Sequence, residues 1–236
     1  MLPGWFGSSG GWGFLPEVLD QERFSYVFTD YRGYGERRDE EGEYTLPEIS
    51  SDVVSLLDDL GTETFSLVGH SMGGACVLRV LADVGERVRS LVGISPIAAN
   101  GFPFDDDGWA LFDGAAENDE NRYGIIDFTT GNRLTPTWVN KTVAHSVEAS
   151  TREAFGAYLT AWGRADFLNE VEGNETPIKV IVGEHDPAVG ADLMAATYLE
   201  QFPNIEMDVQ ANAGHYPMWE VPVALATSIE TFLAQH

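Results

Sequence analysis

The sequence predicts an α/β fold, a mostly parallel sheet with helices on both faces and a helical cap inserted near its middle. Three observations predict it. Short apolar runs alternate with segments of helical periodicity, the pattern that lays crossover helices on both faces of parallel strands. One of those runs, Phe65 to Val68, leads into Gly69-His70-Ser71-Met72-Gly73-Gly74 and then into the small and aliphatic stretch Met72 to Ala82, giving strand, tight turn and helix in succession. The alternation then stops for roughly 80 residues between Ser95 and Pro177, too long for a plain loop in a compact domain.

The elements follow in order. Residues 1–13 are too glycine-rich for regular structure and read as a loop, after which a short helix is expected over Trp12 to Leu19 and a strand over Ser25 to Thr29. The charged run Glu36 to Glu43 reads as a solvated surface loop. Thr45 and Glu48 form a capping box with Pro47 in the first turn, and Ile49, Val53, Leu56, Leu57 and Leu60 recur at helical spacing up to Gly61. Val88 to Ile94, Ile178 to Val182 and Ile205 to Val209 read as further strands, and Val223 to Leu233 as a closing amphipathic helix. These assignments divide the chain into a core of residues 1–95 and 178–236 and an inserted cap of residues 96–177. Helical stretches near Trp138 to Val147 and Thr151 to Trp162 belong to that cap. Its aromatics Phe102, Phe104, Trp109, Phe112, Phe128, Trp138, Tyr158 and Trp162 either line an apolar pocket over Ser71 or pack the cap onto the core.

Composition narrows the class. At 236 residues the chain fits one domain, and 44% hydrophobic content excludes a disordered protein. The single cysteine, Cys76, excludes an intramolecular disulfide and reads as a packed thiol on the helix after the glycine turn. No basic stretch followed by an apolar run opens the sequence, and no apolar run is long enough to span a bilayer, so a soluble cytoplasmic protein is expected. The balance of 13 Lys+Arg against 38 Asp+Glu gives a net charge of -25. That charge repels phosphates and anionic lipid, so no nucleic acid and no membrane partner is expected, only a small-molecule substrate. It also costs stability through self-repulsion unless salt screens it, which points to a high-salt cytoplasm; an ordinary acidic protein is the alternative.

The chemistry starts at Ser71. A hydroxyl becomes a useful nucleophile only when a base takes its proton, and the base needs an acid to hold its tautomer. The strand Ile178 to Val182 runs into Gly183-Glu184-His185-Asp186-Pro187, and the loop after Ile205 to Val209 carries Ala213-Gly214-His215-Tyr216-Pro217. The order Ser71, Asp186, His215 is the one expected for a strand-turn-helix serine in an open sheet. Glu184 is the competing acid, because it ends the same strand. His70 reads as pocket-floor packing, and His145 and His236 are not placed for catalysis. His185 with Asp186 lacks the further ligands that a metal requires.

On these residues the chain resembles the α/β-hydrolase superfamily from its first residues to its last helix. Gly69-His70-Ser71-Met72-Gly73-Gly74 matches the superfamily's nucleophile elbow, Asp30-Tyr31-Arg32-Gly33-Tyr34-Gly35 its turn after the fourth strand, Gly183 with Asp186 its acid turn, and Gly214-His215 its histidine loop. The resemblance implies a Ser71, His215, Asp186 triad with no metal and no organic cofactor. It places Gly4-Trp5-Phe6-Gly7 at the oxyanion loop, with the backbone amides of Trp5 and Met72 as donors, although Pro3 stands where histidine is usual. Trp5, Phe6, Trp109, Trp138 and Trp162 are the expected substrate contacts. The resemblance also implies a central strand before this loop, between the segment ending at Asp30 and the strand ending at Gly69, which Met1 to Pro3 are too short to make. Either the chain really starts upstream or the sheet has a gap there; because unpaired buried backbone groups are costly, an incomplete start is expected, with a gain in stability and activity on N-terminal extension.

The function implied is hydrolysis of an uncharged or apolar carboxylic ester or lactone through an acyl-enzyme. A serine nucleophile in place of aspartate argues against dehalogenase or epoxide hydrolase chemistry. Carbon-carbon bond hydrolysis of a diketone or ring-fission product is the enzymatic alternative. A ligand-binding protein with an idle triad is the alternative from another class.

Overall fold

The computed structural model describes residues 1–236. Four parallel strands form one sheet in the order β1 (Phe65–His70), β2 (Val88–Ile94), β3 (Ile178–Gly183) and β4 (Ile205–Gln210). Each is a short run that reads as a strand in the sequence, and β1 to β3 are buried almost throughout, as strands covered on both faces must be. At the exposed edge, Met207 and Val209 of β4 face solvent.

The helices are α1 (Leu15–Val18), α2 (Leu46–Asp59), α3 (Met72–Val84), α4 (Asp106–Asp113), α5 (Asp119–Thr129), α6 (Pro136–Ala149), α7 (Arg152–Gly163), α8 (Ala191–Ala196), α9 (Tyr198–Gln201), α10 (Pro217–Glu220) and α11 (Pro222–Leu233). Helix α2 starts where Thr45 Oγ1 accepts the Glu48 amide at 3.3 Å, while the Glu48 carboxylate accepts the Glu43 and Tyr44 amides at 3.0 Å each. The Thr45 half of the predicted capping box is made, but Glu48 reaches past the Thr45 amide to the two amides before it, which still fixes the entry to the helix. Helix α3 is buried from Met72 to Leu81, so it is the element around which the sheet and its neighbours pack. Cys76 lies on it, and burial pushes its thiol up to about 12, which leaves it inert. Residues 95–177 hold α4 to α7 and no strand, and their buried side chains join those of the sheet and its helices in one continuous apolar core.

Two expectations need correction. The helix expected over Trp12 to Leu19 is shorter, Leu15–Val18, preceded by a turn of 3-10 helix at Ser9–Gly11, because Gly13 adopts a positive φ of 59° that an α-helix does not tolerate. The strand expected over Ser25 to Thr29 is extended chain without a ladder. Only Met1 and Leu2 lie between it and β1: the Met1 ammonium donates to Val27 O at 2.9 Å, and the Thr29 amide donates to Met1 O at 3.2 Å. On the other side, the Leu2 amide donates to Val68 O at 2.8 Å and Leu2 O accepts the His70 amide at 3.0 Å. The first two residues thus do reach both neighbours, which the sequence reading gave them no length to do, but they bridge at one level only.

Beyond them a groove of about 370 Å³ runs between Phe24–Val27 and Phe65–Val68, floored by Val53, Leu56 and Leu57. The apolar stripe of α2 is buried at Ile49 and Val53, while Leu56 opens onto this groove.

Candidate active site

Ser71 follows β1, Asp186 follows β3 and His215 follows β4, all at the carboxyl ends of parallel strands, where the fold leaves room for a ligand. Ser71 stands at φ 53° and ψ −117°, a conformation a non-glycine residue holds only when its surroundings enforce it. Its amide donates to Ile94 O at 2.9 Å, and its carbonyl accepts the Gly74 and Ile97 amides at 2.8 and 2.9 Å. The turn closes because residue 69 is glycine: a Cβ there would lie 2.2 Å from the Gly73 carbonyl oxygen.

His215 Nδ1–H donates to Asp186 Oδ2 at 2.6 Å, with both side chains buried. The other carboxylate oxygen of Asp186 accepts the Ala188 and Val189 amides at 3.0 and 2.9 Å. Burial alone would raise this carboxyl, but the imidazole and the two amides outweigh it and hold Asp186 below the ordinary carboxylate range. The bond to Asp186 leaves Nε2 of His215 as the free ring nitrogen. Ser71 and His215 line the same cavities, and the hydroxyl makes no hydrogen bond to the imidazole. Glu184 is turned elsewhere: it accepts the Asn212 amide at 3.0 Å and sits 3.1 Å from His185. No group of three or more His, Cys, Asp or Glu side chains is arranged to hold a metal ion. His70 Nε2–H donates to the His215 carbonyl at 2.8 Å, and burial pushes its imidazole down to about 3, so it stays neutral and braces the loop.

On the other side of Ser71 lies the loop Pro3–Gly7. A Cβ on Gly4 would come within 2.7 Å of His70 Nδ1 and 3.2 Å of Ser71 Cβ, which measures how close this backbone passes to the serine. The amides of Trp5 and Met72 donate to no acceptor in the protein, though both residues are buried. Buried donors without partners are rare and call for a reason.

Two cavities meet at Ser71, and Trp5, Phe6, His215 and Tyr216 border both. The first, about 170 Å³, lies between the glycine-rich loop at Gly7, Gly10 and Gly11 and the α6 residues Trp138, Lys141, Thr142 and His145. The second, about 40 Å³, is walled by Phe102, Phe104, Phe112, Ile125, Trp162 and Val189. Of the expected substrate contacts, Trp5 and Phe6 border both cavities, Trp138 the first and Trp162 the second. Trp109 borders neither, because the Arg164 guanidinium covers its ring at 4.0 Å and Phe104 packs edge-on against it. Phe128 is 51% exposed, and Tyr158 is buried among Tyr31, Tyr34 and Tyr44 with its hydroxyl on Arg32 O. Those two pack or face solvent and form no pocket.

The sequence reading missed the residues that hold the two loops. Phe155 of α7 stacks on Trp5 with centroids 4.0 Å apart, and the Trp5 indole donates to Phe155 O at 2.7 Å. Behind Phe155, the buried Arg122 guanidinium lies 3.7 Å from its ring centroid. Tyr31 and Tyr34 donate to Pro3 O and Trp5 O at 2.7 and 3.0 Å. Around His215, Glu220 accepts the Gly214 and Tyr216 amides at 2.9 and 3.3 Å and pairs with Arg133 at 2.9 Å. A carboxylate five residues beyond the histidine was a local signal. Nothing in the sequence tied Phe155 to Trp5.

A family model described as alpha/beta hydrolase matches residues 1–228. The chain is 28% identical over 226 residues to 2-hydroxymuconate semialdehyde hydrolase of Pseudomonas putida, covering 89% of this chain and 76% of that protein. It is 26% identical over 254 residues to esterase YbfF of Escherichia coli, covering 99% and 91%. Among solved structures, an esterase from Exiguobacterium antarcticum superposes with a TM-score of 0.84 at 18% identity, covering 99% of this chain and 92% of that one.

Proposed function

Because the chain belongs to the alpha/beta hydrolase family, we propose that it is a serine hydrolase cleaving a carboxylic ester or lactone with a short apolar acyl part. The observation that carries this reading is the buried His215–Asp186 bond beside a serine held at φ 53°.

In the proposed reaction the Ser71 oxygen attacks the ester carbonyl carbon as its proton passes to Nε2 of His215. Asp186 holds the imidazole in the tautomer with the proton on Nδ1 and stabilises the imidazolium that forms. The carbonyl oxygen becomes an oxyanion, and the free amides of Trp5 and Met72, the latter at the N-terminus of α3, are the donors that receive it. The carbon-oxygen bond then breaks and His215 returns the proton to the departing alcohol. Water, deprotonated by the same nitrogen, attacks the acyl-enzyme and frees the acid and Ser71. The 40 Å³ aromatic cavity suits an acyl group of a few carbons. Residues 96–177 act as a cap over the core of residues 1–95 and 178–236.

A panel of p-nitrophenyl esters of increasing acyl length tests this, with Ser71→Ala as control. The expected result is burst and turnover on short chains and their loss in the variant. Turnover that survives Ser71→Ala overturns the reading, and tight binding with no turnover indicates a receptor. The 28% identical relative is a carbon-carbon bond hydrolase by its name, so a ring-fission diketone belongs in the same panel; preference for it over every ester favours that second reading.

A further inference from the structure

The surroundings of Ser71 have a charge pattern opposite to that of the chain. With 38 acidic residues against 13 basic ones, basic side chains here are mostly claimed by carboxylates: Arg32 by Glu48 and Asp52, Arg79 by Asp83 and Glu170, Arg133 by Glu220, Lys179 by Glu206. Lys141 is not claimed: its ammonium takes part in no hydrogen bond and no ion pair, and it lines the larger cavity. No Asp or Glu borders either cavity.

The position follows from the helix. Trp138, Lys141, Thr142 and His145 stand at i, i+3, i+4 and i+7 on α6 and so share one stripe, and that stripe is a wall of the cavity. His145, held at 3.2 Å from Ser8 Oγ, is lowered by burial and stays neutral. The nearest carboxylates to it are Glu148, one turn along α6, and Asp30, whose oxygens are taken by the Ser9 amide, the Ser9 hydroxyl and the Glu36 amide. Lys141 is therefore the one side chain of fixed charge on either cavity wall. The two cavities differ in kind, one aromatic and closed to charge, the other hydrogen-bonding with a single free cation, and Ser71 stands between them.

We propose that the larger cavity is a subsite for a carboxylate carried on the alcohol side of the substrate, with Lys141 as its specificity-determining residue. This rests on the ester hydrolase reading and narrows it: the acyl side and the scissile ester are uncharged, and the leaving side bears the anion. The chain's net charge opposes an anion at long range, and salt screens that repulsion equally for any variant, so comparisons at fixed salt isolate the local contact.

The test uses two butyrate esters with matched leaving groups, p-nitrophenyl butyrate and the same ester bearing a ring carboxylate, on the full chain and on Lys141→Gln, Lys141→Glu and Lys141→Arg. The readout is the ratio of kcat/KM for the carboxylate ester over the neutral one. It is expected to fall about three- to tenfold in Lys141→Gln, through KM, to fall further in Lys141→Glu, and to be largely kept in Lys141→Arg. A ratio that does not move across the series overturns the proposal. Binding of the free carboxylate-bearing nitrophenol, followed by tryptophan quenching, separates the two readings. Binding weakened by Lys141→Gln with no Ser71-dependent turnover of either ester sinks the hydrolase reading and keeps the anion subsite. Turnover with binding indifferent to residue 141 does the reverse.

Discussion

The two loops that flank Ser71 are held in opposite ways. The His215 loop is fastened by charge and hydrogen bonds: Asp186 on the ring, His70 on the carbonyl, Glu220 with Arg133 on the amides of Gly214 and Tyr216 to either side, and the His215 amide on Thr129 O at 3.1 Å. The Trp5 loop is fastened by rings: Phe155 stacked on one face, Phe112 parallel to it at 5.7 Å, and Trp162 edge-on at 5.7 Å, with two tyrosine hydroxyls on its carbonyls. In the proposed mechanism the first loop must hold a proton-transfer geometry, which directional bonds fix closely, whereas the second must present a donor amide, which needs only a rigid backbone around it. The two loops should therefore fail under different insults.

The largest effect is expected on the charged side. Asp186→Asn should lower kcat by on the order of 10⁴ with the fold retained, because the imidazole loses its tautomer while its packing stays. Steady-state rates on a short ester together with a thermal melt check this, and a loss under tenfold would mean that Asp186 does not orient His215. On the aromatic side, Phe155→Ala should cost about 3–5 kcal/mol of stability in denaturant melts and lower kcat with it, since Trp5 loses its support. A stability loss with kcat intact would separate the stack from the oxyanion.

Acid should distinguish the loops further. His70 is at about 3 when folded against 6.5 when free, so the unfolded chain binds the extra proton and stability falls as pH drops from about 6.5 toward 3. At pH 5 that amounts to about 2 kcal/mol. Asp186, lowered in the fold, contributes stability above its unfolded value near 3.9 that is lost only as pH falls through its folded one, below the range in which His70 acts first. His70→Asn should flatten the melting temperature between pH 4 and 6.5 and leave the Trp5 loop untouched; an unchanged slope refutes the assignment. The smallest effect concerns the whole surface. Thermal melts in rising KCl should gain several degrees as the net charge of -25 is screened, and no gain ends the high-salt reading.

What the sequence showed and what it hid follow the same division. The placement of Ser71, Asp186 and His215 at one rim of the sheet is legible because each sits in a local motif just past an apolar run, where strand ends determine their place. The helix α2 is legible through Thr45 and Glu48, a contact three residues apart. Phe155, Arg122 and the packing of Tyr158 are not, because their partners lie 33 to 150 residues away and aromatic periodicity does not say whether a ring faces a pocket or a neighbour. Trp109 shows the cost of that ambiguity, a tryptophan between β2 and β3 that packs under an arginine and borders neither cavity at Ser71. The strand expected at Ser25 to Thr29 differs for a related reason: β propensity describes a residue's fitness for a ladder, and the partner this segment bonds across it is Met1 alone.

The burial of Cys76 governs how the molecule can be labelled. Its thiol, the one thiol of the sequence, lies inside α3 and is pushed up to about 12, so it does not compete for a maleimide. A cysteine introduced at an exposed position such as Val223, 64% exposed on α11, would then carry a fluorophore by itself, without background from the interior.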